Sequence, residues 1–207
     1  MSTVPIALLT PAYANTADWV PLATALGRHR QVLTPDLTPA QGRQVVLEDP
    51  ALAVLATVSQ SGADAAVLCG LGFGAMVAMT VATGFPDRVT RLVLSTTRTP
   101  ESTALLSVQH GVRGLVPATT LQRLGGRPRQ VIDLLDQVRS LDYRGWIGRV
   151  TVPALILVGE LDVANLGPSR RLAAALPHAE LKVVADAGPG WPQSQPERYA
   201  ELVSAVG

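Results

Sequence analysis

Residues 65–83 carry the strongest constraint in this chain: a short apolar run, a turn made mostly of glycine, and an apolar stretch at helical density. Ala65-Ala66-Val67-Leu68-Cys69 suits a strand buried on both faces, and Ala75 to Thr83 supplies Ala, Met and Val to a buried helix. Gly70-Leu71-Gly72-Phe73-Gly74 lies between them, so the strand must pass into the helix through a sharp turn. Gly72 falls at the apex, with Gly70 and Gly74 placed to let neighbouring backbone pass closely. The Phe73 amide opens the helix with its N–H directed outward.

Glycine-rich strand-to-helix turns also bind pyrophosphate, but the spacing here does not suit that use. A G-x-G-x-x-G fingerprint needs a third glycine where Ala75 stands. It also needs an acidic ribose partner about 20 residues further on, where the chain reads Ser95-Thr96-Thr97.

A length of 207 residues with 47% hydrophobic content predicts one domain with a full core. The net charge of +1 supplies no field to recruit nucleic acid or an anionic membrane, so neither is expected as a partner. Lys182 is the lone lysine among arginines, which reads as the codon usage of a GC-rich genome. Cys69 is the single cysteine, which excludes an intrachain disulfide and a cysteine-based zinc cluster, and no metal is expected. On a buried strand it reads as an inert core residue. Met1-Ser2-Thr3-Val4-Pro5 lacks a basic leader, and no apolar run approaches the ~20 residues that span a bilayer. A cytoplasmic protein is the expectation.

Along the chain, strands are predicted at Pro5 to Leu9, Gln31 to Leu33, the run before the glycine turn, Arg91 to Leu94, Ala154 to Val158 and Leu181 to Val184. Helices are predicted at Asp18 to Leu26, Gln44 to Val58, Ala75 to Thr83, Ser169 to Leu176 and Pro196 to Val206. The alternation implies an α/β fold, with a mostly parallel sheet of about six strands covered on both faces. Residues 98–149 break the alternation with scattered Gly and Pro and an amphipathic helix over Pro128 to Leu141. This segment reads as an insertion above the carboxyl ends of the strands, where ligands bind in such sheets.

The order of these landmarks resembles the α/β hydrolase superfamily over nearly the whole length. Thr10-Pro11-Ala12-Tyr13, followed by Trp19, is similar to the family's first loop and helix, and Pro35-Asp36-Leu37 with Gly42-Arg43 to its "P-D-L-x-G-x-G" turn. The glycine turn is similar to the G-x-S-x-G nucleophile elbow. Val152-Pro153 through Gly159-Glu160-Leu161-Asp162 resembles the segment that delivers the triad acid, and Ala187-Gly188-Pro189-Gly190-Trp191-Pro192 resembles the "A-G-H-x-x-P" turn. The resemblance implies one domain over 1–207, a three-layer sandwich, and a reduced cap at about 98–149. It also implies a degenerate triad, in which Asp162 survives, Gly72 stands at the nucleophile position and Pro189 at that of the histidine. Removing two members disables the Ser-His-Asp unit. His29 and His178 read as surface residues, and His110 lies in the cap segment where it could overhang the site.

Backbone donors outlast side-chain losses, and the resemblance places the oxyanion amides at Phe73 and Ala12. Thr10, Tyr13, Trp19, Gly72, Met76, His110, Pro189 and Trp191 are the candidate pocket residues. Asp162 is the candidate catalytic group, provided that burial raises its pKa rather than an arginine pairing with it. The reading that follows is a cofactor-independent, non-hydrolytic enzyme: a cyclase, lyase or isomerase acting on an apolar carbonyl compound, in natural-product biosynthesis by fold-level analogy. The alternative is a catalytically inactive pseudo-hydrolase that binds a small molecule or a protein partner. Water activated by Asp162 ranks third.

Overall fold

The computed structural model describes residues 4–11, 14–38, 46–95 and 147–205. Six strands form one sheet: β1 (Ile6–Leu9), β2 (Val32–Leu33), β3 (Ala66–Leu71), β4 (Val89–Ser95), β5 (Ala154–Gly159) and β6 (Ala179–Val184). Their order is β2-β1-β3-β4-β5-β6, and every pairing is parallel. All residues of β1, β3 and β5 are buried, as continuous apolar runs require when both faces of a sheet are covered. β6 is the edge strand opposite β2, and its exposed Glu180 and Lys182 give that edge charged side chains.

Alternate residues of the strands divide the core into two layers. Ala7, Leu9, Leu68, Leu92, Leu94 and Ile156 pack under α2 (Glu48–Gln60), α3 (Phe73–Gly84) and α4 (Val163–Ala175). Ile6, Leu8, Val67, Cys69, Val93 and Leu155 pack under α1 (Val20–Gly27), the short α5 (Trp191–Ser194) and α6 (Pro196–Ser204). The result is a three-layer sandwich.

Helix starts differ from the sequence expectation: α1 opens at Val20 rather than Asp18 and α2 at Glu48 rather than Gln44. α4 starts at Val163 rather than Ser169 and runs through Pro168, whose missing N–H leaves the helical acceptor at Ala164 without its usual donor. The helix expected at Pro196 to Val206 is present as α6, and the short α5, which was not expected, precedes it across Gln195 at φ −133° and ψ 58°. Most of the expected cap, including the helix over Pro128 to Leu141, lies outside the described residues. Ile147, near its end, packs against the α2/α3 layer.

Candidate functional site

The turn between β3 and α3 consists of Gly72 alone, with φ 57° and ψ −116°. A side chain in that region of backbone space costs energy, so the glycine relieves the strain that a nucleophile elbow otherwise stores. The Gly72 N–H donates to the Ser95 carbonyl at 3.2 Å, and the Ala75 N–H donates to the Gly72 carbonyl at 3.1 Å. The flanking glycines are required by contact. A Cβ on Gly74 would lie 2.0 Å from the Leu9 carbonyl oxygen, and one on Gly70 would lie 2.5 Å from the Ala75 Cα. At Gly72 the nearest atom to a Cβ is Pro11 Cγ at 3.6 Å, an ordinary contact, so there is space for a side chain that the residue lacks.

Phe73 is the first residue of α3, where an amide N–H has no intrahelical acceptor. Its ring is buried in the α2/α3 layer together with Met76. Thr10 and Pro11 follow β1 and are half-buried. Ala12, Tyr13 and His110 lie outside the described residues. The second amide donor and two of the candidate pocket residues are therefore not placed.

Asp162 follows β5 and is 2% exposed. The turn that carries it is clasped to the end of β6 and the chain that follows it. Glu160 N–H donates to the Val184 carbonyl at 2.8 Å and Leu161 N–H to the Ala187 carbonyl at 2.9 Å, while Gly159 admits Ala187 so closely that a Cβ would stand 2.2 Å from its oxygen. The Asp162 side chain accepts from Asn165 Nδ2 at both oxygens, 2.9 and 2.8 Å away. The ion pair seen among the described residues, Arg28 with Glu197, does not involve it. Asn165 is absent from the sequence-derived site. Its place three residues past Asp162 has the spacing of a reciprocal N-terminal cap, but with the helix expected only from Ser169 no such signal is legible in the sequence.

Pro189 is exposed in the turn before α5, next to Gly190 in the left-handed region at φ 78°. Trp191 is buried against Tyr199, with ring centroids 5.4 Å apart. Trp19 and Trp191 belong to the α1/α6 layer, whereas Phe73 and Met76 belong to the opposite one. The four side chains are thus buried in two different core layers. His29 and His178 are exposed. Asp36 is exposed and accepts from the Thr38 N–H at 2.9 Å, which braces its turn, and Glu160 accepts from the Asp186 N–H at 3.2 Å. Among the described residues no group of His, Cys, Asp and Glu could hold a metal ion.

A cleft of about 880 Å³ begins beside the elbow at Thr10 and Pro11 and runs along α1, past Trp19 and Val20, to Arg30. It borders β2 and does not include Phe73 or Asp162 in its lining.

Behind the elbow lies a buried polar group that the sequence does not reveal. Ser95 is 0% exposed, and its hydroxyl donates to the Tyr199 hydroxyl at 3.4 Å. Burial pushes the Cys69 thiol from its ordinary 9.0 up to about 12, against a small opposing pull from Arg30. Burial also raises Tyr199 well above the usual phenol value, with Cys69 adding to the rise and the Ser95 hydrogen bond opposing it.

A parallel six-stranded sheet between helical layers, with a strand-turn-helix elbow at its centre, defines an α/β hydrolase fold. The profile of the "Alpha/beta hydrolase family" matches residues 8–202, and the chain belongs to this family. No curated protein sequence matches it significantly. Among solved structures, an N-acyl homoserine lactone degrading enzyme superposes with a TM-score of 0.77 at 20% identity, covering 100% of this chain and 94% of that one. The enol-lactonase from Burkholderia xenovorans LB400 superposes with 0.76 at 19% identity, covering 100% and 93%. MenH from S. aureus gives 0.77 at 14% identity, covering 99% and 93%. These similarities concern the fold.

Among the described residues, no helix is long and apolar enough to cross a membrane.

Proposed function

We propose that this chain is a non-hydrolytic α/β hydrolase-fold protein that binds an apolar carbonyl-containing small molecule at the Phe73 amide. It would promote a cyclase, lyase or isomerase step there without a cofactor. The observation that carries the reading is the elbow itself: its apex residue has no side chain, while the N–H of the next residue opens a helix without an intrahelical acceptor. Such an amide stabilises an oxyanion or enolate, and one well-placed donor is worth about 3 kcal/mol at a transition state. Holding a flexible carbonyl compound in a reactive conformer adds to this without any nucleophile. Two neighbours in fold are named for lactones, which are carbonyl compounds of the same broad kind.

Gly72, Pro189 and the clasped Asp162 together support a degenerate triad and argue against ester hydrolysis. The second reading, a pseudo-hydrolase that binds a small molecule or a partner without turnover, is favoured by the Asn165 amide on Asp162, which occupies the remaining candidate acid. A natural-product setting and a cytoplasmic location belong to the same proposal.

The chain has two phenylalanines, Phe73 and Phe85, so nitrogen-labelled phenylalanine yields two backbone amide signals. Titration with acetylacetone, whose enolate presents the required oxygens, is expected to move the Phe73 signal and leave that of exposed Phe85 in place. An unmoved Phe73 signal overturns ligand binding at the elbow. Acceleration of intramolecular aldol closure in a linear diketone supports the enzymatic reading, and binding without acceleration supports the second.

A further inference from the structure

We propose that Asn165 is a positioning residue that withdraws Asp162 from proton chemistry and makes its carboxylate the internal clasp of the β5–α4 turn. The proposal rests on the reading of Asp162 as the surviving acid position. One nitrogen, Asn165 Nδ2, stands 2.9 and 2.8 Å from the two carboxylate oxygens. Charge fixes which end of the amide faces inward, because the flipped orientation would set a third oxygen against two anionic ones.

Asp162 opens α4 through its backbone, not its side chain: the Asn165 and Leu166 N–H groups both donate to its carbonyl at 3.0 Å. The carboxylate is therefore held in a 2% exposed position by the Asn165 amide and by the positive end of the helix. A base introduced at exposed position 189 would meet a carboxylate that already has its donor, and would have to displace the amide before being oriented by it.

The wild-type chain provides a direct test, since its only two asparagines are Asn165 and the exposed Asn15. With nitrogen-labelled asparagine, the Asn165 side-chain protons are expected to exchange with solvent about tenfold to a hundredfold more slowly than those of Asn15, as a hydrogen bond to a buried charge requires. Asp162→Ala should remove that difference. Equal exchange of the two pairs in the wild-type chain overturns the proposal.

A second arm reads function in a Gly72→Ser, Pro189→His background with p-nitrophenyl acetate as the probe. Adding Asn165→Ala is expected to raise kcat/KM about tenfold or more, and adding Asp162→Asn should cancel the gain. No gain in a folded variant, or a gain that survives Asp162→Asn, overturns the proposal. Asn165→Ser, too short to straddle both oxygens, repeats the arm if the alanine variant does not fold. The two readings fail separately: a silent Phe73 signal with protected Asn165 protons overturns elbow binding and leaves the clasp. A moved Phe73 signal with unprotected Asn165 protons does the reverse.

Discussion

At the scale of single residues, the three glycines of the elbow differ in what they do, and substitution should separate them. Gly74→Ala places a Cβ 2.0 Å from the Leu9 carbonyl oxygen, a backbone atom that cannot swing aside. The start of α3 must then lift from β1, at an expected cost of about 3 kcal/mol or more. Gly72→Ala has 3.6 Å to Pro11 and suffers only its positive φ of 57°, for about 1–2 kcal/mol. Urea unfolding of the two variants should rank Gly74→Ala as clearly the less stable, and a reversed order would contradict the close approach of α3 to β1. The sequence made this turn legible because strand, glycines and helix are contiguous. The partner of Asp162 was not legible in the same way: nothing local tells that the carboxylate is buried, and only burial turns a nearby Asn into its required donor.

At the scale of elements, β3, β4 and α6 meet in the Cys69, Ser95 and Tyr199 group, which ties stability to alkaline pH. Both acids have folded pKa values raised above their unfolded ones, so their contribution is complete below the unfolded values and declines as pH rises toward the folded ones. For Cys69 the window runs from 9.0 to about 12: the unfolded chain releases this proton first and is favoured by doing so. The unfolding free energy should fall by about 1.4 kcal/mol per pH unit within that window, with Tyr199 adding to the slope above its own ordinary value. Cys69→Ala should flatten the decline between about pH 9 and pH 10, measured by urea titration at each pH. An unchanged slope would mean that the thiol is not held neutral by burial.

The elements themselves were read well from apolar runs, since a strand buried on both faces shows as an unbroken hydrophobic stretch. The exception is instructive. The helix expected from Ser169 starts instead at Val163 and passes through Pro168, with the Asp162 carbonyl accepting from the Asn165 and Leu166 N–H groups in its first turn. The Ser95–Tyr199 bond joins positions 104 residues apart, a pairing that no local pattern encodes.

At the scale of the whole molecule, one sheet serves two cores, and its strands decide which side chains can meet. Trp19 and Trp191 fall on one side and Phe73 and Met76 on the other because the helical segments that carry them cover opposite faces of the sheet, a separation that single-residue hydrophobicity cannot express. The same geometry predicts how damage in the two layers combines. Val54, in α2, and Val203, in α6, are buried in opposite layers and share no neighbouring helix. Truncating either to alanine removes two buried carbons and should cost about 2 kcal/mol. Because the β strands run through both cores, loss of one layer leaves the other with an uncovered sheet, so the chain should still unfold in a single transition. The Val54→Ala, Val203→Ala double variant is therefore expected to lose the sum of the two costs to within about 0.5 kcal/mol in urea unfolding. Two resolved transitions would show instead that the layers on either side of the sheet are stable independently.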